Sequence, residues 1–335
     1  MSQWLQGSVH QLLPGPLADK LKIIGSVKRL LTPSLQPHLH LAFAQVESLN
    51  HLDCSEANSL VSWCRILATR FSAIAREITL AAELGGFSVL LADSQEDTSR
   101  EMKLVEELAA RQVEAIVACP VGVTSEHFAS ARDSGLPLVL VDRTFPDSNF
   151  VQVTSKHEEG ARKAAQLLLR QGHRQIGILQ GLEGTLPNEA RIAGAKKAML
   201  SAGLTLNTRM IQGSSFTEQS GIESATKLLT DYPRITALLA FSMPNAIGGL
   251  RVAREMGREV PDDLSIVAFD DSPFADLMSV PISTVAQDVR TLGKKAAALV
   301  MEKVRGQKKQ RKKLHQIDIE LRDRGSIQRV HSYDD

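Results

Sequence analysis

The chain has 335 residues, 43% of them hydrophobic and 23% charged, with a formal net charge of +1. That is length enough for more than one packing unit and a composition ordinary for a soluble globular protein. The near-zero charge excludes a global basic field for nucleic acid, so any DNA contact needs a local patch.

Residues 1–70 open the chain without a readable pattern. They hold 14 leucines, both tryptophans, four of the nine histidines and only ten charged residues. The leucines keep no helical or strand period, and Pro14, Pro16, Pro33 and Pro37 interrupt any long element. By itself this segment reads as a poorly ordered N-terminal extension.

From Phe71 the pattern changes. Ile74, Ile78 and Ala81-Ala82 fall at helical spacing over 72–84, and Gly85-Gly86 stops that helix. Strand 87–92, helix 99–112, strand 113–120, helix 124–134 and strand 137–142 follow. A second set runs from strand 150–153 through helix 156–171, strand 175–180, helix 188–202 and strand 209–212. It continues with helix 217–230, strand 236–241, helix 245–257 and strand 264–269. Continuous apolar strands between amphipathic helices predict parallel sheets covered on both faces. The fold class is therefore α/β, with two doubly wound lobes. Ser155 and Glu158 have the spacing of a capping box, and Gly172 that of a left-handed helix stop.

Other classes find little support. The cysteines at 54, 64 and 119 form neither a disulfide framework nor a CxxC metal motif, which suits a reducing compartment. There is no long apolar run for a membrane span. The start "MSQWLQGSVHQLLPGPLADKLK" has no basic region followed by an apolar core, so a cytoplasmic address is expected by elimination. GxSxG, GxxxxGK[ST] and HExxH are absent, and the histidines share no ligand spacing. No enzyme, cofactor or metal is expected. The basic run "RGQKKQRKK" at 305–313 reads as a solvated loop.

Eight phrases, in order, carry a specific resemblance. They are "GFSVLLADSQED", "VDR", "EEGARKAAQLLLRQGHRQIGIL", "ARIAGAKKAM", "FTEQSGIESATKLL", "AIGGLRVAREMGREVPDDLSIVAFDD", "PISTVAQDVRTLGKKAAALVMEKVRG" and "ELRDRGS". Over about 71–326 the chain resembles the effector-binding core of the LacI/GalR family of transcription regulators. The resemblance implies a periplasmic-binding-protein-like fold. Its N-terminal lobe would take 71–154 and 288–316, and its C-terminal lobe 155–287 and 317–326. It also implies a small-molecule effector between the lobes, sugar-like or a small anion, an allosteric shift in operator-DNA affinity, and a homodimer. Helices 72–84, 99–112 and 245–257 would build the dimer.

Matched to the family's effector contacts, the candidate site residues are Phe71, Asp142, Arg143, Arg191, Phe216 and Asp270. Strand ends are where open α/β sheets bind ligands. Arg191, read as lying in the first turn of its helix, offers a planar fork for a carboxylate, phosphate or hydroxyls. Its replacement by alanine is expected to abolish binding with little loss of stability. The chain departs from the family at Ser242-Met243, where Asn-Asp is usual, and at Ser155-Lys156, where Asp-Asn is usual. The cleft is accordingly expected to be less acidic and more apolar than a typical sugar site.

Residues 1–70 show neither the family's helix-turn-helix and hinge nor its first core strand and Asn-Pro-Phe-Phe loop. Read one frame over, the codons joining Trp63 to Ser72 permit Val-Pro-Asp-Pro-Gly-Asn-Pro-Phe-Phe, which is that missing loop. Residues 1 to about 70 are thus read as an out-of-frame translation, and specific DNA binding by this chain is not expected. A stand-alone solute-binding protein of the same fold is the alternative function. It usually requires the signal peptide that is not found here.

Overall fold

Short strands, all but the last free of charged residues, set the architecture. The computed structural model describes residues 59–63, 69–146, 148–306 and 313–330, all within one unit, 52–335. The out-of-frame reading of 1–58 and 64–68, and most of the basic run at 305–313, lie outside the described residues.

The first set of elements is β1 (Ser59–Trp63), α1 (Thr69–Leu84), β2 (Ser88–Ala92), α2 (Thr98–Ala110) and β3 (Ala115–Ala118). It ends with α3 (Ala129–Asp133), β4 (Leu138–Val141) and β5 (Val151–Ser155). The second set begins with α4 (His157–Arg170), β6 (Ile176–Leu179), α5 (Leu186–Ser201), β7 (Ile211–Gln212) and α6 (Glu218–Asp231). It closes with β8 (Ala237–Ala240), α7 (Met243–Glu255), β9 (Ser265–Phe269) and β10 (Ser283–Gln287). Then come α8 (Val289–Val304), β11 (Leu314–Ile317) and β12 (Ile319–Arg322).

These strands form two six-stranded sheets, in the orders β11-β5-β4-β3-β1-β2 and β12-β10-β9-β8-β6-β7. Every pairing is parallel except β12 on β10. Strands such as "AIVA", "LVLV" and "ALLA" are buried throughout because helices cover both faces of each sheet. The chain passes between the sheets after β5, after β10 and after β11. Lys156 fastens two of these crossings: its amide donates to the Ile317 carbonyl, and its ammonium pairs with Asp318 at 2.5 Å.

Three local expectations are corrected. First, 1–70 do contain the first core strand. β1 lies between β2 and β3, with Leu60 opposite both Val89 and Ala115. Its five residues carry too little pattern to be read alone, and hydrogen bonding to both neighbours defines them. Second, the Ser155–Glu158 capping box does not form. Ser155 is the last residue of β5, the N-cap of α4 is Lys156 without a side-chain cap, and Glu158 instead accepts from Lys197 at 2.5 Å. Third, helix 124–134 is broken into a 3-10 turn, Glu126–Phe128, and the short α3. The turn buries His127 and Phe128 beside Phe145 and Phe150, and those contacts outweigh helical continuity.

Gly172 ends α4 with φ at +93°, a left-handed turn that glycine adopts without steric cost. The following His173 is buried and pins the C-terminal tail. Its Nε2–H donates to the Gln328 carbonyl at 3.0 Å, so Nδ1 accepts from the Thr236 hydroxyl at 2.9 Å. Burial pushes this imidazole below its ordinary value near 6.5. The Gln328 hydrogen bond works against that shift, and the Arg174 charge adds to it. A lowered folded pKa means that unfolding takes up a proton. The stability His173 contributes is therefore complete above pH 6.5 and is lost as pH falls through 6.5 toward the folded value. We predict that His173→Gln is the less stable protein at pH 7.5, and that the gap to wild type in thermal midpoint narrows by pH 5.5. An unchanged gap would show that this imidazole does not titrate with folding.

Candidate effector site

The carboxyl ends of both sheets carry an aspartate in the same backbone state. Asp142 follows β4 with φ +70°, its amide bonded to the Val153 carbonyl of β5. Asp270 follows β9 with φ +67°, its amide bonded to the Val285 carbonyl of β10. A left-handed conformation at a residue with a Cβ costs on the order of 1 kcal/mol, and such outliers concentrate at binding sites. Repeated at equivalent positions in two lobes, it turns the chain sharply and leaves Asp142 and Asp270 at the carboxyl ends of their strands.

Arg191 lies at the centre of the C-terminal lobe's half. It sits in the second turn of α5, since that helix begins at Leu186 rather than near 188. Its side chain is 1% exposed. One guanidinium nitrogen donates to the Phe241 carbonyl, just past β8. The other lies 3.3 Å from His157 Nδ1 and 3.9 Å from Asp270 Oδ1. The guanidinium covers the Phe269 ring at 4.2 Å from its centroid. An arginine cannot accept a hydrogen bond, so His157 Nδ1 is the acceptor and the imidazole proton sits on Nε2. Asp270 is held in turn by the Gln287 amide, which donates to the same Oδ1.

The N-terminal lobe supplies a matching half. Arg143 is buried and binds Glu96 in fork geometry, at 2.9 and 3.2 Å. Phe71, Asp142 and Arg143 share the wall of one small cavity of about 10 Å³ with Ser94, Glu96 and Cys119. Phe216 of the other lobe joins the two halves. Its ring lies 5.8 Å from the Arg143 guanidinium and 5.9 Å from that of Arg191. It packs so closely on Gly181 that a Cβ there would come within 2.0 Å of ring atoms. Phe71, Asp142 and Arg143 thus share one wall, and Phe216 lies between Arg143 and the Arg191–Asp270 pair.

Sequence reasoning overlooked Glu96, His157, Phe241, Phe269 and Gln287. Glu96 and His157 lie within or beside quoted phrases, but nothing local says that they orient arginines. The departure at 242–243 also has a different consequence from the one expected. Met243 is buried in a core of the C-terminal lobe with Leu179, Ala240 and Ala246, so it adds no apolar wall to the cleft. Ser242 caps α7, its hydroxyl accepting from the Asn245 amide at 3.1 Å. Among the described residues no group of three His, Cys, Asp or Glu side chains is placed to hold a metal ion.

A family model described as a periplasmic binding protein-like domain matches residues 165–327. The HTH-type transcriptional regulator DegA of Bacillus subtilis is 30% identical over 248 residues, 73% of either chain. Catabolite control protein A of Priestia megaterium is 28% identical over 231 residues, 69% of this chain and 70% of that one. The chain belongs to the LacI/GalR family. Its two lobes are the effector-binding core of a LacI-type transcription regulator. A LacI-family regulatory protein from Chloroflexus aggregans superposes with a TM-score of 0.72 at 26% identity, covering 81% of this chain and 99% of that one. The complex of the regulator CelR with cellobiose gives 0.75 at 24% identity, covering 80% and 84%, and shows the shared fold. The relatives of this LacI-type core are transcription regulators rather than enzymes. Among its described residues no helix is long and apolar enough to cross a membrane.

Proposed function

We propose that this LacI-type core binds a small effector between its lobes, and that the effector biases the angle between them. The observation that carries this is the Arg191 guanidinium. It is fully buried at the ends of the strands, fixed by the Phe241 carbonyl, the Phe269 face and Asp270, and bridged through Phe216 to Arg143 of the other lobe. Arg191 and Arg143 supply donors, Asp142 and Asp270 supply acceptors, and Phe71 and Phe216 supply apolar faces. That set suits a polyhydroxylated or small anionic ligand. Each lobe holds part of it, so a ligand that contacts both stabilises one relative orientation over others.

A second copy of the chain is the proposed partner. Leu80 and Leu84 on α1 and Met102 on α2 are exposed, Leu84 by 92%. On the other lobe Phe274 and Leu277 are exposed beside a groove of about 710 Å³ floored by Ile247, Leu250, Val260 and Met278. Apolar faces on both lobes fit a two-fold dimer in which lobe angle sets the spacing of two DNA-reading heads. The regulator is proposed as a repressor acting on operator DNA. Sequence-specific reading belongs to a helix-turn-helix head that 1–70 do not spell out, so the proposal is confined to the core.

The test is a thermal-shift panel of pentoses, hexoses, disaccharides, small carboxylates and sugar phosphates. At least one class should raise the midpoint in a concentration-dependent way. A panel that moves nothing overturns the proposed effector class.

A further inference from the structure

The polar groups of the constellation are shut away from solvent. Asp142, Arg143 and Arg191 are each at most 5% exposed. The cavity that Asp142 and Arg143 share, about 10 Å³, has room for a single water and for no metabolite. A ligand therefore reaches these groups only after a side chain moves.

Phe216 is the side chain placed to move. Its ring stands 5.8 Å from the Arg143 guanidinium and 5.9 Å from that of Arg191, in range for each cation to be attracted to it. The residue is half-buried, so the ring has a way out to solvent. The backbone on either side is pinned. The Asn245 side-chain amide donates to the Ser215 and Thr217 carbonyls at 3.1 and 3.2 Å. The Ser214 and Ser215 amides both donate to the Ser220 hydroxyl oxygen at 3.2 Å. Movement is thereby confined to the side-chain torsions, which change between staggered wells while α6 stays in place.

The seat of the ring is Gly181, two residues past β6. A Cβ there would stand 2.0–2.4 Å from ring atoms, and the three atoms it would meet first all belong to Phe216. Gly181 is not among the left-handed glycines, so close approach of the ring is what keeps this position without a side chain.

We propose that Phe216 is the gate of the effector site. Seated on Gly181, the ring occupies the space between the two guanidiniums and closes the site. Swung toward solvent, it opens the site and then flanks the ligand as an apolar face. The inference rests on the effector reading above and adds its regulation. Arg143 belongs to one lobe, and Phe216 and Arg191 to the other, so the seated ring also latches the lobes together. A ligand that displaces the ring releases that latch and frees the lobe angle to change.

The small arginine reagent 2,3-butanedione tests the gate on the full chain. Its rates at Arg143 and Arg191 are read by peptide mass spectrometry against Arg76, whose side chain is 65% exposed. Two variants open the gate by different routes. Phe216→Ala removes the ring, and Gly181→Ala expels it while keeping it in the chain. Each should raise the rates at Arg143 and Arg191 by about fivefold or more, because the open fraction limits reaction in the wild type. Unchanged rates in either variant, shown to be folded by circular dichroism, overturn the gate. So do wild-type rates at Arg143 and Arg191 equal to that at Arg76. Whichever panel ligand stabilises the wild type should bind Gly181→Ala at least as tightly, since no ring has to be displaced. A loss of affinity there would make Phe216 a fixed wall and overturn the gate as well. The reagent needs no effector, which separates the two readings. Raised rates beside a silent panel defeat the effector class and keep the latch. A panel ligand that binds while the rates stay unchanged defeats the gate alone.

Discussion

Arg191→Ala should remove the response to whichever panel ligand stabilises the wild type. Two charge-assisted hydrogen bonds to a ligand, each worth about 1.5–3 kcal/mol, correspond to a loss of about 100-fold or more in affinity. Isothermal titration of wild type and variant with the same ligand measures it, and equal affinities would remove Arg191 from the site. The sequence alone suggested that this change leaves stability nearly untouched, and the structure says otherwise. Arg191 is among the largest fully buried side chains of the chain. Its loss opens a void against Phe269, frees the Phe241 carbonyl and takes the cation from beside Asp270. A cost of about 2–4 kcal/mol follows. Arg191→Lys keeps the charge but not the fork, so it should recover more stability than ligand affinity.

Glu101→Ala should be the most damaging single change away from the cleft. Glu101 is 0% exposed on α2. Its Oε2 accepts from the Val121 amide at 2.9 Å and lies 2.6 Å from His127 Nε2. Alanine leaves the buried Val121 amide without its acceptor, takes the carboxylate from beside His127 and opens a void there, for about 3–5 kcal/mol in all. In a domain of this size the thermal midpoint should fall by roughly 6–15 °C. The consequence reaches the candidate site, because Pro120 and Val121 line the same small cavity as Phe71, Asp142 and Arg143. Loss of ligand affinity beyond what unfolding explains is therefore expected. Glu101→Gln, which can still accept from the Val121 amide, should restore most of each. A midpoint within 2 °C of wild type for the alanine variant would contradict this role.

Several residues of the candidate site could be picked from the chain. Asp142, Arg143 and Asp270 stand directly after runs of apolar residues, and the end of a buried parallel strand is where a ligand meets the sheet. Arg191 and Phe216 needed the family phrases around them, because neither has a local signature of binding. What escaped was every residue acting through another. Glu96 is 47 positions from Arg143, and His157 is 34 from Arg191. Gln287 is 17 from Asp270. No pattern within one element encodes such a pair. The failed capping box at Ser155 has the same lesson in reverse. Its spacing is right for a cap, but the last rung of β5 claims the residue first.

The sequence by itself determined the two-lobed α/β plan, since burial on both faces and short connections leave a parallel sheet few alternatives. It determined the positions of most helices and strands, and the strand ends at which a ligand would be met. Tertiary structure decided the rest. It recruited Ser59–Trp63 as a central strand through hydrogen bonds to two neighbours. It brought α4 and α5 so close that a Cβ on Gly194 would come within 2.1 Å of the Glu158 carbonyl. It also joined Arg143 and Arg191 across the lobes through one phenylalanine ring. Periodicity is a property of neighbouring residues, whereas these contacts exist only after distant segments have packed.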